Sequence, residues 1–207
     1  MNTKSPEITS FDDVFQAELE YYMNKLGLEE EFKPRTILNL ACGQDPAIDG
    51  LVNFLTRQNQ TSQVDKIVYQ GYDLDKSSFW PRTLAKYADS NLISIDYKER
   101  DCTDPRYFRE EDTDLLLFQH PANLYGPIIF ERIFANGFKR LKTGGLVVAN
   151  FHNKEERSAF VKSIEGCDDI EMLVNEPAPE QIYGQLPHAG FTLFSQTVII
   201  RKIGSSG

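Results

Sequence analysis

The chain has 207 residues, with 22 Lys and Arg against 31 Asp and Glu, giving a formal net charge of −9. Hydrophobic residues at 41% and charged residues at 26% exclude a disordered tail and suit one ordinary globular domain. The acidity argues against a nucleic-acid-binding surface and against docking on an anionic membrane, since both need clustered Lys and Arg.

Residues 10–27 place Phe11, Val14, Phe15, Leu19, Tyr22, Met23 and Leu26 at helical spacing, with Ser10 as a start cap and Gly27 as a stop. An acidic connection, Glu29 to Glu31, leads to Pro34. Thr36 to Ala41 is a short apolar strand. Asp45-Pro46 then opens a helix whose buried stripe is Ile48, Leu51, Val52 and Leu55. Lys66 to Tyr72 is a second strand ending at Asp73, and 76–89 is predicted helical. Leu92 to Tyr97 and Asp114 to Phe118 are the third and fourth strands. Segment 123–141 reads as a helix with Phe130, Ile133, Phe134 and Leu141 inward, stopped by Gly144-Gly145 before a fifth strand, Leu146 to Phe151. Asn153, with Glu156 three residues on, marks the next helix start. Further strands fall near 169–174 and within 191–202. Strands alternating with helices predict a doubly wound α/β fold with a mostly parallel sheet. The strands are apolar runs, as expected for burial on both faces.

Three cysteines, Cys42, Cys102 and Cys167, lie far apart and form no CxxC pair. Free thiols in a cytoplasmic setting are therefore expected, with no disulfide framework and no metal site. Residues 1–10 lack an apolar signal core, no apolar run nears the roughly 20 residues of a spanning helix, and 204–207 reads as a flexible tail. The loop 175–190 holds three prolines, Tyr183 and His188, and long loops in compact domains are usually functional.

In an open parallel sheet, ligands bind beyond the carboxyl ends of the strands. Four such ends carry chemistry here. The turn Ala41-Cys42-Gly43 is small enough for close backbone approach to a ligand. Asp45 at the following helix start would occupy the N–H donors that a dinucleotide pyrophosphate needs, and no G-x-G-x-x-G is present. The ligand expected is one without phosphates, which also disfavours a nicotinamide dinucleotide oxidoreductase. Asp73 is placed to accept hydrogen bonds from ribose hydroxyls; capping of helix 76–89 by Asp73 or Asp75 is the plainer alternative. Asp101-Cys102 can hold an adenine amino group, although Asp104-Pro105 is equally a turn. Gln119-His120 ends the fourth strand, where His120 can orient or deprotonate a substrate.

Taken in order, ILNLACGQD, YQGYDLD, ERDCTD, DTDLLLFQH and LKTGGLVVANF resemble the motifs of class I, Rossmann-like S-adenosylmethionine-dependent methyltransferases, over about residues 35–202. The resemblance implies a seven-stranded sheet with the last strand antiparallel and helices on both faces. It divides the chain into a helical cap, 1–34, a methyltransferase domain, 35–203, and the tail. It implies S-adenosylmethionine as cofactor, held by Asn39, Ala41, Cys42, Gly43, Asp73, Leu74, Asp101, Cys102 and Gln119. His120 and Tyr183 are the implied catalytic candidates, and a small molecule or a protein is the expected acceptor. The sequence departs from the pattern at Asn39, where the family has an acid, and at Ala41, where it has a glycine. A non-catalytic cofactor-binding or protein-interaction module on the same fold is the alternative.

Overall fold

The computed structural model describes residues 11–42, 48–59, 66–108, 111–119, 127–151, 153–177, 182 and 196–204. The described chain falls into two compact units. Among the described residues, one comprises 11–33, 48–59 and 182, and the other 34–42, 66–108, 111–119, 127–151, 153–177 and 196–204.

The first unit contains α1 (Phe11–Lys25) and α2 (Ile48–Asn59). The apolar stripe expected on α1 is buried at Val14, Phe15, Leu19, Tyr22 and Met23. Gly27, at φ +67°, ends it: the Leu28 N–H donates to Met23 O at 2.8 Å and the Gly27 N–H to Asn24 O at 2.9 Å. This crossed pair satisfies carbonyls that the last turn leaves open. The Gly50 N–H of α2 donates to Asp12 Oδ1 at 2.8 Å, which joins the two helices near their starts. Ser10, Asp45 and Pro46 lie outside the described residues.

The second unit is built on a seven-stranded sheet. Its strands are β1 (Thr36–Leu40), β2 (Ile67–Asp73), β3 (Ile93–Glu99), β4 (Thr113–Gln119), β5 (Leu141–Phe151), β6 (Ile170–Pro177) and β7 (Gln196–Lys202). The order is β3-β2-β1-β4-β5-β7-β6. The first five are parallel, and β7 runs antiparallel to both β5 and β6. The helices are α3 (Trp80–Tyr87), α4 (Pro127–Arg140) and α5 (Lys154–Ile164). Asn153 caps α5, its Oδ1 accepting from the Glu156 N–H at 2.9 Å.

One sheet face packs against α4 and α5 through phenylalanines. Phe118 sits 5.7 Å from Phe130, and Phe160 lies 5.0 Å from Phe134 and 5.2 Å from Phe151, centroid to centroid. The first two of these contacts are edge-on and the third is tilted, and such ring pairs add to simple area burial. Gly137 lets α4 approach closely, because a Cβ there would fall 2.5 Å from Leu40 Cδ1. On the opposite face, Trp80 of α3 stacks on Tyr97 of β3 at 5.1 Å. Helices therefore cover both faces of this unit.

Two predicted boundaries move. Helix α3 begins at Trp80 with Phe79 at its N-cap and no side-chain cap bond, so neither Asp73 nor Asp75 caps it. Leu141 starts β5 instead of ending α4, and Gly144-Gly145 lies inside the strand. With Gly144 at φ +84° and a register shift opposite Thr113 and Leu115, the glycine pair makes an irregularity in the ladder rather than a connecting turn.

Candidate functional site

A cavity of about 200 Å³ opens at the carboxyl ends of the parallel strands, beside the point where strand order reverses between β1 and β4. Ala41 follows β1; Asp73 and Leu74 end β2; Asp101, Cys102 and Thr103 follow β3; Ile129 and Ile133 face it from α4. The first three groups come from the motifs singled out in the sequence, over a separation of about sixty residues.

Each wall is fixed by local bonding. Ala41 adopts φ +53°, a left-handed conformation that turns the chain sharply out of β1. The next residue extends the ladder, the Cys42 N–H donating to Tyr72 O at 3.2 Å. Asp73 is 7% exposed, and its Oδ1 accepts the Asp75 N–H at 3.2 Å. The Arg100 N–H donates to Asp73 O at 2.7 Å, tying the segment after β3 to the end of β2. The Arg100 guanidinium lies 4.7 Å from the rings of both Tyr72 and Tyr107 and donates to Tyr72 Oη at 3.0 Å. From α4, Asn136 Nδ2 donates to Cys102 O at 3.0 Å.

Asp101 is exposed and builds its own turn. Its Oδ1 accepts from the Thr103 N–H at 2.8 Å and from Thr103 Oγ1 at 2.7 Å. Asp104 caps the short turn Pro105–Tyr107 in the same way, accepting the Arg106 N–H at 3.0 Å. Burial pushes the Cys102 thiol up to about 11, with the Asp73 and Asp101 charges acting in the same direction, against the Ala41 backbone hydrogen bond and Arg100. The cavity thus has a protonated thiol, two carboxylates and an isoleucine pair.

Not every implied residue joins it. Asn39 is fully buried and donates from Nδ2 to Tyr69 Oη at 2.9 Å. Cys42 is buried beneath the turn, and Gln119 is buried at the end of β4; neither lines the cavity. Gly43, His120 and Tyr183 lie outside the described residues. Conversely, Thr103 and Ile129 line the cavity without having been singled out. Thr103 follows the Asp101-Cys102 pair directly, and Ile129 stands one helical turn before Ile133, so i, i+4 spacing was the available signal. Asn150 and Thr197 are fully buried polar residues inside the apolar strands β5 and β7, and the sequence reading passed over both. Among the described residues, no group of three His, Cys, Asp or Glu side chains is clustered for a metal, and no helix is long and apolar enough to cross a membrane.

No protein-family model and no curated protein matches the sequence. Solved structures match the fold. The magnesium protoporphyrin IX methyltransferase of Synechocystis PCC 6803, solved with S-adenosylmethionine bound, has a TM-score of 0.58 at 9% identity, covering 98% of this chain and 86% of that one. The 1,6-didemethyltoxoflavin-N1-methyltransferase of Burkholderia thailandensis, solved with 1,6-didemethyltoxoflavin and S-adenosylhomocysteine bound, gives a TM-score of 0.57 at 12% identity, over 94% and 80% of the two chains. An rRNA methylase of Streptococcus thermophilus gives 0.55 at 12%, over 87% and 95%. The strand order, the antiparallel β7 and these matches together show that the chain has the Rossmann-like fold of class I S-adenosylmethionine-dependent methyltransferases.

Proposed function

We propose that this protein is an S-adenosylmethionine-dependent methyltransferase acting on a small molecule or a protein. The observation that carries the reading is the Asp73 carboxylate, largely buried at the end of β2 and lining the cavity. The donor set fits the cofactor's nucleoside half. Asp73 would accept from the ribose hydroxyls, the Asp101–Thr103 segment would meet the adenine edge, and Leu74, Ile129 and Ile133 would pack on its faces. At about 200 Å³ the cavity is below the roughly 300–1,000 Å³ of whole ligand pockets, so it suits part of such a ligand. Two carboxylates favour a cationic sulfonium and disfavour phosphates. When bound, S-adenosylmethionine supplies an electrophilic methyl group. The chain's task is then to align the acceptor and exclude water. His120 and Tyr183 are the candidates for a base where the acceptor needs one. The net charge of −9 favours a small molecule or protein over nucleic acid as acceptor.

Calorimetric titration with S-adenosylhomocysteine tests this directly. Asp73→Ala is expected to weaken binding by about 1.5–3 kcal/mol, the scale of lost charge-assisted hydrogen bonds. An unchanged dissociation constant would remove Asp73 from the site, and no binding to the wild type at millimolar ligand would sink the reading.

A second reading, a binding module without turnover, draws support from Asn39. Its amide engages Tyr69 and offers no carboxylate for a ligand ammonium group. Cofactor binding without transfer to any member of a broad acceptor panel would favour it.

A further inference from the structure

Three walls of the cavity are tied together from behind, by side chains that do not line it. Helix α4 places Ile129 and Ile133 at the cavity and carries Asn136 and Arg140 further along the same stripe, at i, i+4, i+7 and i+11 spacing. Asn136 bonds Cys102 O, as described above. Arg140, 5% exposed, donates from Nη1 to Tyr72 Oη at 3.2 Å, from Nη2 to Gln70 Oε1 at 3.1 Å and from Nε to Asp112 Oδ1 at 2.8 Å. Arg100 brings a second guanidinium to the same phenol oxygen at 3.0 Å, and the Tyr72 hydroxyl donates to Gln70 Oε1 at 3.3 Å. The hydroxyl of Tyr72, a residue 2% exposed, thus uses both lone pairs and its proton. A buried network satisfied in this way is rigid.

The network ends beside the two carboxylates of the cavity. Tyr72 immediately precedes Asp73, and Arg100 immediately precedes Asp101. The Arg100 N–H closes the circuit on Asp73 O at 2.7 Å. Its guanidinium lies over the rings of both Tyr72 and Tyr107, a seat that suits a planar, weakly hydrated cation. We propose that Arg100 is a positioning residue: acting through Tyr72, it fixes the separation between Asp73 and the Asp101–Thr103 turn, and so decides whether one nucleoside can engage both. A nucleoside is a bivalent ligand whose ribose and base are held apart by a fixed bond. Two subsites reinforce each other only when their spacing matches that of the ligand. The assignment deepens the methyltransferase reading and rests on it.

Titration of wild type, Arg100→Met, Arg100→Lys and Tyr72→Phe with S-adenosylhomocysteine, adenosine and adenine tests it. Methionine keeps an apolar stem against the tyrosines and removes the guanidinium. Arg100→Met should bind S-adenosylhomocysteine and adenosine about ten-fold more weakly, the effect of one misplaced hydrogen bond to a charged group. It should bind adenine, which needs only one subsite, as the wild type does. Arg100→Lys should not restore the loss, because an ammonium keeps the charge but neither stacks nor forks. Tyr72→Phe leaves both guanidinium groups in the chain and should show the same selective loss; it carries the test if Arg100→Met fails to fold. Unchanged S-adenosylhomocysteine affinity in Tyr72→Phe and in folded Arg100→Met, an equal loss for adenine and adenosine, or full recovery in Arg100→Lys would overturn the proposal and leave the methyltransferase reading standing. A wild type that binds neither S-adenosylhomocysteine nor adenosine would overturn both.

Discussion

At Ala41, local backbone strain meets the cavity wall. It is the one non-glycine residue with positive φ among the described residues. The left-handed region costs an L-residue with a Cβ about 1–2 kcal/mol. Glycine there would relieve that strain but lose about 0.4–1 kcal/mol to its freer unfolded chain. Ala41→Gly is therefore expected to stabilise the fold by about 0.5–1 kcal/mol, and Ala41→Val to destabilise it, both read by urea unfolding at pH 7. The same residue shows why the first motif was recognisable: a left-handed turn against a cavity admits only the smallest side chains, and Ala41 keeps that property where the related motif has glycine. Asp73 and Asp101, which line the cavity, were singled out in advance because acids at or just beyond strand ends stand out. The buried contact of Asn150 with Thr197 did not show, because one polar letter in an apolar run does not reveal which strands will be neighbours.

At the scale of elements, Asp114 holds three strands in register from the end opposite the cavity. Its Oδ2 accepts the Arg35 and Thr36 N–H groups at 2.9 Å each, at the start of β1, and its Oδ1 accepts Lys142 Nζ of β5 at 2.7 Å. Burial pushes this carboxyl up, but the hydrogen bonds from Lys142, Thr36 and Arg35, with the Lys142 charge, outweigh it and hold it below its ordinary value of 3.8. A lowered folded-state value gives stability that is present above the unfolded pKa and lost as pH falls through the folded one. Asp114→Asn should therefore unfold more easily than wild type at pH 7, and the gap between their urea midpoints should narrow as the pH falls below the ordinary value of 3.8. A gap that stays constant throughout the acid range would mean that packing, not ionisation, sets the difference. The strands themselves were readable because each is an apolar run bounded by turn residues. The start of β5 was not, since the glycine pair 144–145 signals a turn equally well when it makes a strand irregularity.

For the whole molecule, burial is graded across the sheet. Strands β1 and β4 are buried along nearly their full length, whereas β3 is an edge strand and α3 buries only Trp80. Amide exchange slows with burial and cooperative pairing. Exchange should be slowest in Ile37–Leu40 and Leu115–Phe118 and fastest, among regular elements of the sheet-containing unit, in α3; mass spectrometry of deuterated peptides would show it. Uniform exchange across β1, β4 and α3 would contradict this gradient. At this scale the alternation of strands and helices carried the fold class in the sequence, because parallel neighbours need helical crossovers. The antiparallel last strand came only through resemblance, and the order β5-β7-β6 was not read at all, since nothing local in β6 says that its partner lies some twenty residues later.

That order has a consequence for synthesis. Translation produces β6, residues 170–177, before its one partner exists, because β7 at 196–202 supplies the ladder on its only paired side and also covers β5. On the ribosome, the nascent chain must carry two unpaired strand edges until residue 202 has cleared the exit tunnel. A message cut short before Gln196 would thus yield a product missing both ladders at once, with exposed edges that chaperones bind and proteases cut. Assembly of this sheet is therefore gated by the strand at 196–202, which closes both ladders at once.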